Sequence, residues 1–249
     1  MKKRFGAVAV VSIILTGIIV YAATRPAPNA MPASTKTQGA APALPPLGYI
    51  EHAQYYDIVA NYPTTTPLLG DVGAKEDSAA VALMRNFIGD TVAQFKTDGS
   101  FEPDRKEKLE IVYLIASSLR TVSYIFTVYE DTLGAHGNTF FRTFTFDTKT
   151  GAVLSLADLF TPGAPYLETL SSISRTKLPD IIGDGADASF IENGTMPTDK
   201  NFENFFFDNK DFVVLFPPYQ VAPYSSGPQT LRLKIATLAN ILRQEYLYR

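Results

Sequence analysis

Apolar residues in this chain follow three rhythms, and each predicts a different kind of element. Residues 5–23 run for 19 positions without a charge. At 1.5 Å per residue, a helix of that size crosses a bilayer core of roughly 30 Å. Further on, Val81, Met84, Phe87, Ile88, Val92 and Phe95 recur at helical spacing, with Asp77 placed to cap the helix they define. Leu167, Leu170, Ile173, Ser174 and Lys177 predict a second helix over residues 165–178, and residues 236–243 also read as helical.

The third rhythm is the two-residue alternation of strands. Residues 49–62 read as extended and end at Pro63. Residues 109–117 are apolar on both faces, which predicts an interior strand, and a turn at 117–120 leads into a second strand over 121–129. Residues 140–147 place Phe140, Phe144 and Phe146 on one face and Phe141 on the other. Asp147-Thr148-Lys149-Thr150-Gly151 reads as a hairpin turn, with Gly151 free to take a positive φ. Ser155 is placed to cap a short turn at 156–160. Residues 202–207 and 211–216 flank Asp208-Asn209-Lys210 as another hairpin, and 231–235 is the last strand. Residues 180–201, rich in Gly, Asp and Asn, read as loop. Hairpins mixed with segregated helices define an α+β fold, mostly antiparallel sheet with packed helices.

Charge orients the uncharged run. Lys2, Lys3 and Arg4 precede it, which places the N-terminus on the cytoplasmic side of the membrane and everything after the run outside. Val20-Tyr21-Ala22 and Tyr21-Ala22-Ala23 would also suit a cleaved signal peptide. Signal cores are usually shorter, roughly 7–15 residues, so a retained anchor is the preferred reading of residues 1–23. Either way the rest of the chain is exported. Residues 24–47 hold Pro26, Pro28, Pro32, Pro42, Pro45 and Pro46 among small polar residues, the composition of a solvated linker.

The chain has no cysteine, so disulfides, thiolate metal sites and a Cys nucleophile are excluded. A net charge of -3 gives no electrostatic footprint for nucleic acid. The only histidines are His52 and His136. No metal-ligand spacing, Gly-x-Ser-x-Gly elbow, phosphate-binding loop or dinucleotide fingerprint is present, and no cofactor is expected. Asp184, Asp187 and Glu192 read as a surface acidic loop, and Asn193-Gly194-Thr195 as either a glycosylation sequon or a turn. A pair of carboxylates cleaving glycan leaves no local signature, so that reading stays open.

Two segments carry candidate chemistry. Gly134-Ala135-His136-Gly137-Asn138 puts two glycines around one histidine between strands, a special turn offering imidazole and amide. The alternative is that His136 and Asn138 bond their own loop. Phe216-Pro217-Pro218-Tyr219-Gln220-Val221-Ala222-Pro223-Tyr224 cannot be a regular strand, so an extended loop leaves the sheet edge there. Tyr219 and Tyr224 offer flat faces with polar tips, suited to sugar rings or a protein partner, or else packing onto their own core. The candidate ligand-binding residues are His136, Asn138, Tyr219 and Tyr224.

These segments resemble the extracytoplasmic module shared by lysozyme-responsive anti-sigma factors of the RsiV type and peptidoglycan deacetylases of the PdaC type, where it lies beside the catalytic domain. The resemblance rests on Gly134 to Asn138, Phe144 to Asp147 with Thr150-Gly151, Leu156-Ala157-Asp158-Leu159-Phe160 followed by Pro162-Gly163, and Phe216 to Tyr219 with Ala222-Pro223-Tyr224 and Gly227. It extends over about residues 49–242. It implies two associated halves, 48–135 and 136–249, and a non-catalytic role at the cell wall, with peptidoglycan or a lysozyme-like protein as partner. Four residues before the anchor leave no room for a sigma-binding segment, and no deacetylase domain follows the module before Arg249. Neither transmembrane regulation nor deacetylation is therefore expected. A carboxylate enzyme acting on wall glycan and a purely structural envelope protein are the alternatives.

The topology is directly testable. Protease added to intact spheroplasts is expected to digest the globular part, and protection would overturn the exported reading. A mature N-terminus near Ala23 would overturn the retained anchor alone.

Overall fold

The computed structural model describes residues 48–66, 74–98 and 104–247; the expected anchor and linker lie outside them. Tyr49–His52 (β1) and Tyr56–Ala60 (β2) pair antiparallel. Helix α1 (Ala74–Asp98) then carries the chain to β3 (Glu107–Ser117), which lies parallel to β2. Parallel neighbours need such a crossover, because a tight turn can only reverse direction. Successive hairpins add β4 (Thr121–Asp131), β5 (Asn138–Asp147) and β6 (Val153–Leu154), completing a six-stranded sheet in sequence order. The β4–β5 hairpin spans the junction expected at 135/136.

β5, β6 and the loop before them stay with the first packing half; after β6 the chain builds a second, starting with helices α2 (Tyr166–Ile182) and α3 (Ala188–Gly194). They precede a three-stranded antiparallel sheet of β7 (Phe205–Asp208), β8 (Asp211–Phe216) and β9 (Gln229–Lys234). The fold is α+β, with mostly antiparallel strands.

Each sheet has its own core. The stripe Met84, Ile88, Val92 and Phe95 of α1 packs on Ile58, Leu109, Ile111, Phe126, Val128 and Phe144 of the first sheet. Leu170 and Leu178 of α2 pack with Phe207, Phe212, Val214, Leu231 and Leu233 of the second. The opposite faces of the two sheets meet through a small cluster of Ile125, Phe206 and Val213. Hydroxyl groups complete that contact: Ser123 and Thr145 bond each other at 2.9 Å, and Thr145 donates to the Phe205 carbonyl at 3.2 Å. The second sheet leaves part of β3 uncovered, so Val112 and Leu114, 39% and 72% exposed, face solvent although the strand is interior to its sheet.

Several local expectations shift. Asp77 lies within the first turn of α1, and its carboxylate accepts the Thr66 amide at 2.6 Å, tying Thr66 to the helix. Residues 180–201 contain α3 because Asp187 caps it, accepting the amides of Ser189 at 2.8 Å and Phe190 at 3.1 Å. Ser155 is bonded in the reverse sense. Asp158 accepts its amide at 2.8 Å and its hydroxyl at 2.6 Å, and these bonds hold the Asp158 carboxyl below its usual range.

Residues 236–243 form only the short 3-10 turn Ile235–Leu238 followed by irregular chain. A continued helix would compete for backbone groups that serve the turn at 156–161: Thr161 N–H donates to Ile241 O at 2.8 Å and Arg243 N–H to Leu159 O at 2.9 Å. The Arg243 guanidinium reaches the Phe160 carbonyl at 3.0 Å. Phe160, 1% exposed, stacks on Tyr166 at 4.8 Å and meets Phe212 edge-on.

Phe160→Ala is therefore expected to cost about 3–5 kcal/mol, the usual penalty for an emptied aromatic site, and to lower the melting temperature sharply. An unchanged melting curve would overturn the assignment of Phe160 to the core.

Candidate functional site

The connections at 132–137 and 217–228 leave different sheets and converge. His136 Nε2 lies 2.8 Å from the Tyr219 hydroxyl, and the imidazole stacks on Tyr224 with centroids 3.9 Å apart and planes 18° apart. The two tyrosine rings are 5.4 Å apart. Tyr224 donates its hydroxyl to the Gly137 carbonyl at 2.9 Å, and His136 Nδ1 lies 2.9 Å from the same oxygen. His136 is exposed and both tyrosines are half-buried.

A carbonyl only accepts, so Nδ1 must carry a proton. In the neutral ring Nε2 is then bare, and the Tyr219 hydroxyl is the donor between them. Histidine and tyrosines thus clasp the two halves together. The loop does bond its own backbone, as the sequence allowed, but it also reaches 83 residues along the chain.

Backbone geometry supports the clasp at a cost. Tyr219 has φ 70 and Leu133 φ 62, left-handed values that bulky side chains rarely adopt. The special turn read around Gly134 therefore turns on Leu133, whose amide donates to Asp131 at 3.0 Å. Gly137 is needed for space: a methyl group there would lie 2.3 Å from the Tyr129 hydroxyl. Residues after β8 are held from below. Val221 and Ala222 are buried, and the Gln220 amide donates to Gly194 O and Asn201 O, both at 2.9 Å.

Asn138 does not join the rings. It opens β5 opposite Glu130, on the strand face it shares with Phe140 and Phe144, away from the second sheet. Burial and the nearby Asp98 push the Glu130 carboxyl above its usual range. Among the described residues, no group of three or more His, Asp and Glu is placed to hold a metal. The sequon closes a helix: Thr195 is fully buried, donates to Ile191 O at 2.6 Å and accepts from Arg175. Tyr129, Gln220 and Gly194 support the site, a role the sequence did not give them: Gly194 was read only in the sequon and Gln220 only as part of its loop. The β4 alternation already sets Tyr129 on the face opposite Tyr124 and Phe126, whereas nothing local marks Gln220 or Gly194.

Residues 157–236 match a family described as a protein of unknown function, DUF3298. Solved members share the fold. A DUF3298-family protein from Bacteroides fragilis superposes with a TM-score of 0.55 at 18% identity, covering 80% of this chain and 92% of its own. One from Pseudomonas aeruginosa PAO1 gives 0.51 at 15% identity, covering 84% of this chain and 99% of its own. Among curated proteins, the chain is homologous to the peptidoglycan-N-acetylmuramic acid deacetylase PdaC of Bacillus subtilis, 30% identical over 192 residues. The match takes in 75% of this chain but only 40% of the length of PdaC. Both comparisons uphold the resemblance read from the motifs. The DUF3298 match contains Tyr219 and Tyr224, while His136 comes from the part before it.

Gly194 offers a test of how the site is supported. A methyl group there would sit 1.9 Å from the Gln220 carbonyl oxygen, whereas one at Gly89, inside α1, would meet nothing within 4 Å. Gly194→Ala is expected to lose about 1–3 kcal/mol by overpacking. Gly89→Ala is expected to gain roughly 0.5–1 kcal/mol. Equal melting temperatures for the two variants would contradict the close packing beneath the Tyr219 loop.

Proposed function

We propose that this chain is a non-catalytic binding module, tethered outside the cytoplasmic membrane by residues 1–47, that recognises the glycan of peptidoglycan. The observation that carries the proposal is the convergence of His136, Tyr219 and Tyr224 into one ring cluster where the two halves meet. Aromatic faces suit the C–H face of a sugar ring. The Tyr219 and Tyr224 hydroxyls donate their hydrogen bonds to His136 and the Gly137 carbonyl, so their remaining lone pairs favour a ligand rich in O–H and N–H donors. Backbone strain at Tyr219 is consistent with a position kept for what its side chain does. The relationship to PdaC, whose name places it on peptidoglycan, supplies the substrate class. Asn138, on the face of β5 turned away from the second sheet, is left out of the proposed contact.

The full chain in mild detergent is expected to sediment with purified peptidoglycan. His136→Ala and Tyr224→Ala are expected to reduce that retention while keeping a cooperative melting transition. Unaltered retention in both variants would leave the clasp as scaffold. Retention on immobilised lysozyme but not on peptidoglycan would move the ligand to a muramidase-type protein. Release of labelled fragments from the peptidoglycan would replace binding with catalysis.

A further inference from the structure

With the imidazole neutral, the His136–Tyr219 contact has one direction open to it, and that direction is the one needed to activate a nucleophile. The Gly137 carbonyl holds the Nδ1 proton, which leaves Nε2 as the base and Tyr219 as the hydroxyl that gives up its proton, 2.8 Å away. Nucleophile, base and a third group orienting the base form the arrangement that general-base activation uses elsewhere. Two further observations fit it. Tyr219 occupies a strained left-handed backbone position at a sharp turn, as nucleophiles presented by tight elbows do. Tyr224 lies flat on the imidazole at 3.9 Å, where its ring face would stabilise the imidazolium formed when the proton moves.

We infer that Tyr219 is a covalent acceptor site, a phenol that His136 activates to take an acyl group from an activated ester. In the step, the Tyr219 oxygen attacks the ester carbonyl carbon and its proton passes to His136 Nε2. The tetrahedral adduct then collapses, the bond to the leaving oxygen breaks, and the leaving group departs with that electron pair. The imidazolium returns its proton to solvent. The acyl group remains on Tyr219 as a phenyl ester, and no oxidant or reductant is involved. This site uses the same rings as the proposed glycan contact but does not depend on glycan being the ligand.

The test uses the full chain in mild detergent with p-nitrophenyl acetate, reading p-nitrophenolate release and locating the acetyl group by peptide mass spectrometry. General-base assistance typically contributes about 10²–10⁴-fold, so Tyr219 is expected to acquire acetyl at least about tenfold faster than Tyr129 or Tyr224. His136→Asn is expected to remove that advantage, leaving labelling at tyrosines and lysines outside the cluster unchanged. Tyr219→Phe is expected to abolish the fast phase of p-nitrophenolate release. Acetylation of Tyr219 no faster than of Tyr129 would overturn the inference, as would a His136→Asn protein that labels Tyr219 at the original rate. Should His136→Asn melt below the assay temperature, the selectivity of the unaltered chain for Tyr219 over Tyr129 decides the matter alone. Peptidoglycan retention is measured separately, so either property can fail without the other.

Discussion

Each sheet turns its more apolar face to its own helix, and this leaves the contact between the sheets to what remains. Ile125, Phe206 and Val213 are the buried apolar side chains there, with the hydroxyls of Ser123, Thr143 and Thr145 beside them. Apolar burial on that scale contributes little compared with the two helix-backed cores. The relative placement of the halves therefore leans on directional bonds. At one end, Asn209 N–H donates to Ser117 O at 2.9 Å. Beside it, within the first sheet, Arg120 meets Asp147 at 2.7 Å and fixes the turn that carries Ser117. Burial would raise the Asp147 carboxyl, but Arg120 and the amides of Lys149 and Thr150 overcome it and hold the group below its usual range. At the other end stand His136, Tyr219 and Tyr224.

That division of labour explains why the ring cluster is both a clasp and a candidate site. A purely structural junction between two β-sheets is most simply built from branched apolar side chains, which need no hydrogen-bond partners. Here the junction ends in three polar-tipped rings, one of them exposed, with left-handed backbone at Leu133 and Tyr219. The hydrogen bonds leave both hydroxyls with lone pairs to spare and one imidazole nitrogen as a base. The chemistry available follows from how the two halves are joined.

The parts of this fold that were legible in the sequence are those where one periodic pattern met one partner. The α1 stripe from Val81 to Phe95 and the phenylalanines of β5 read correctly because a single helix–sheet core accounts for both. The misreadings share a cause in long-range bonding. Residues 236–243 have helical composition, yet their backbone groups are claimed by the turn at 159–161, some 80 residues earlier. The apolar residues on both faces of β3 correctly marked an interior strand, while the exposure of Val112 and Leu114 follows from how far the second sheet extends. Residues 180–201 hid a helix one turn beyond Gly183 and Gly185, visible only through the Asp187 cap. The candidate loops could be named from their Gly and Pro punctuation. Their meeting could not, because it depends on the packing of two sheets, and neither could the separation of Asn138 from the rings, which follows from strand parity once β5 begins at that residue.

The span of the clasp also bears on the order of assembly. From β3 to β6 the first sheet is a chain of sequence-adjacent hairpins, the kind of local pairing that forms quickly. The bond from His136 to Tyr219 instead closes a loop of 83 residues. Closure of so long a loop carries an entropy cost that rises with the logarithm of its length, and both loop ends are shaped only after their own sheets exist. The topology favours a route in which each half condenses on its helix and the rings meet last. A nascent chain whose second half has not yet folded would hold His136 on a finished hairpin with neither tyrosine in place.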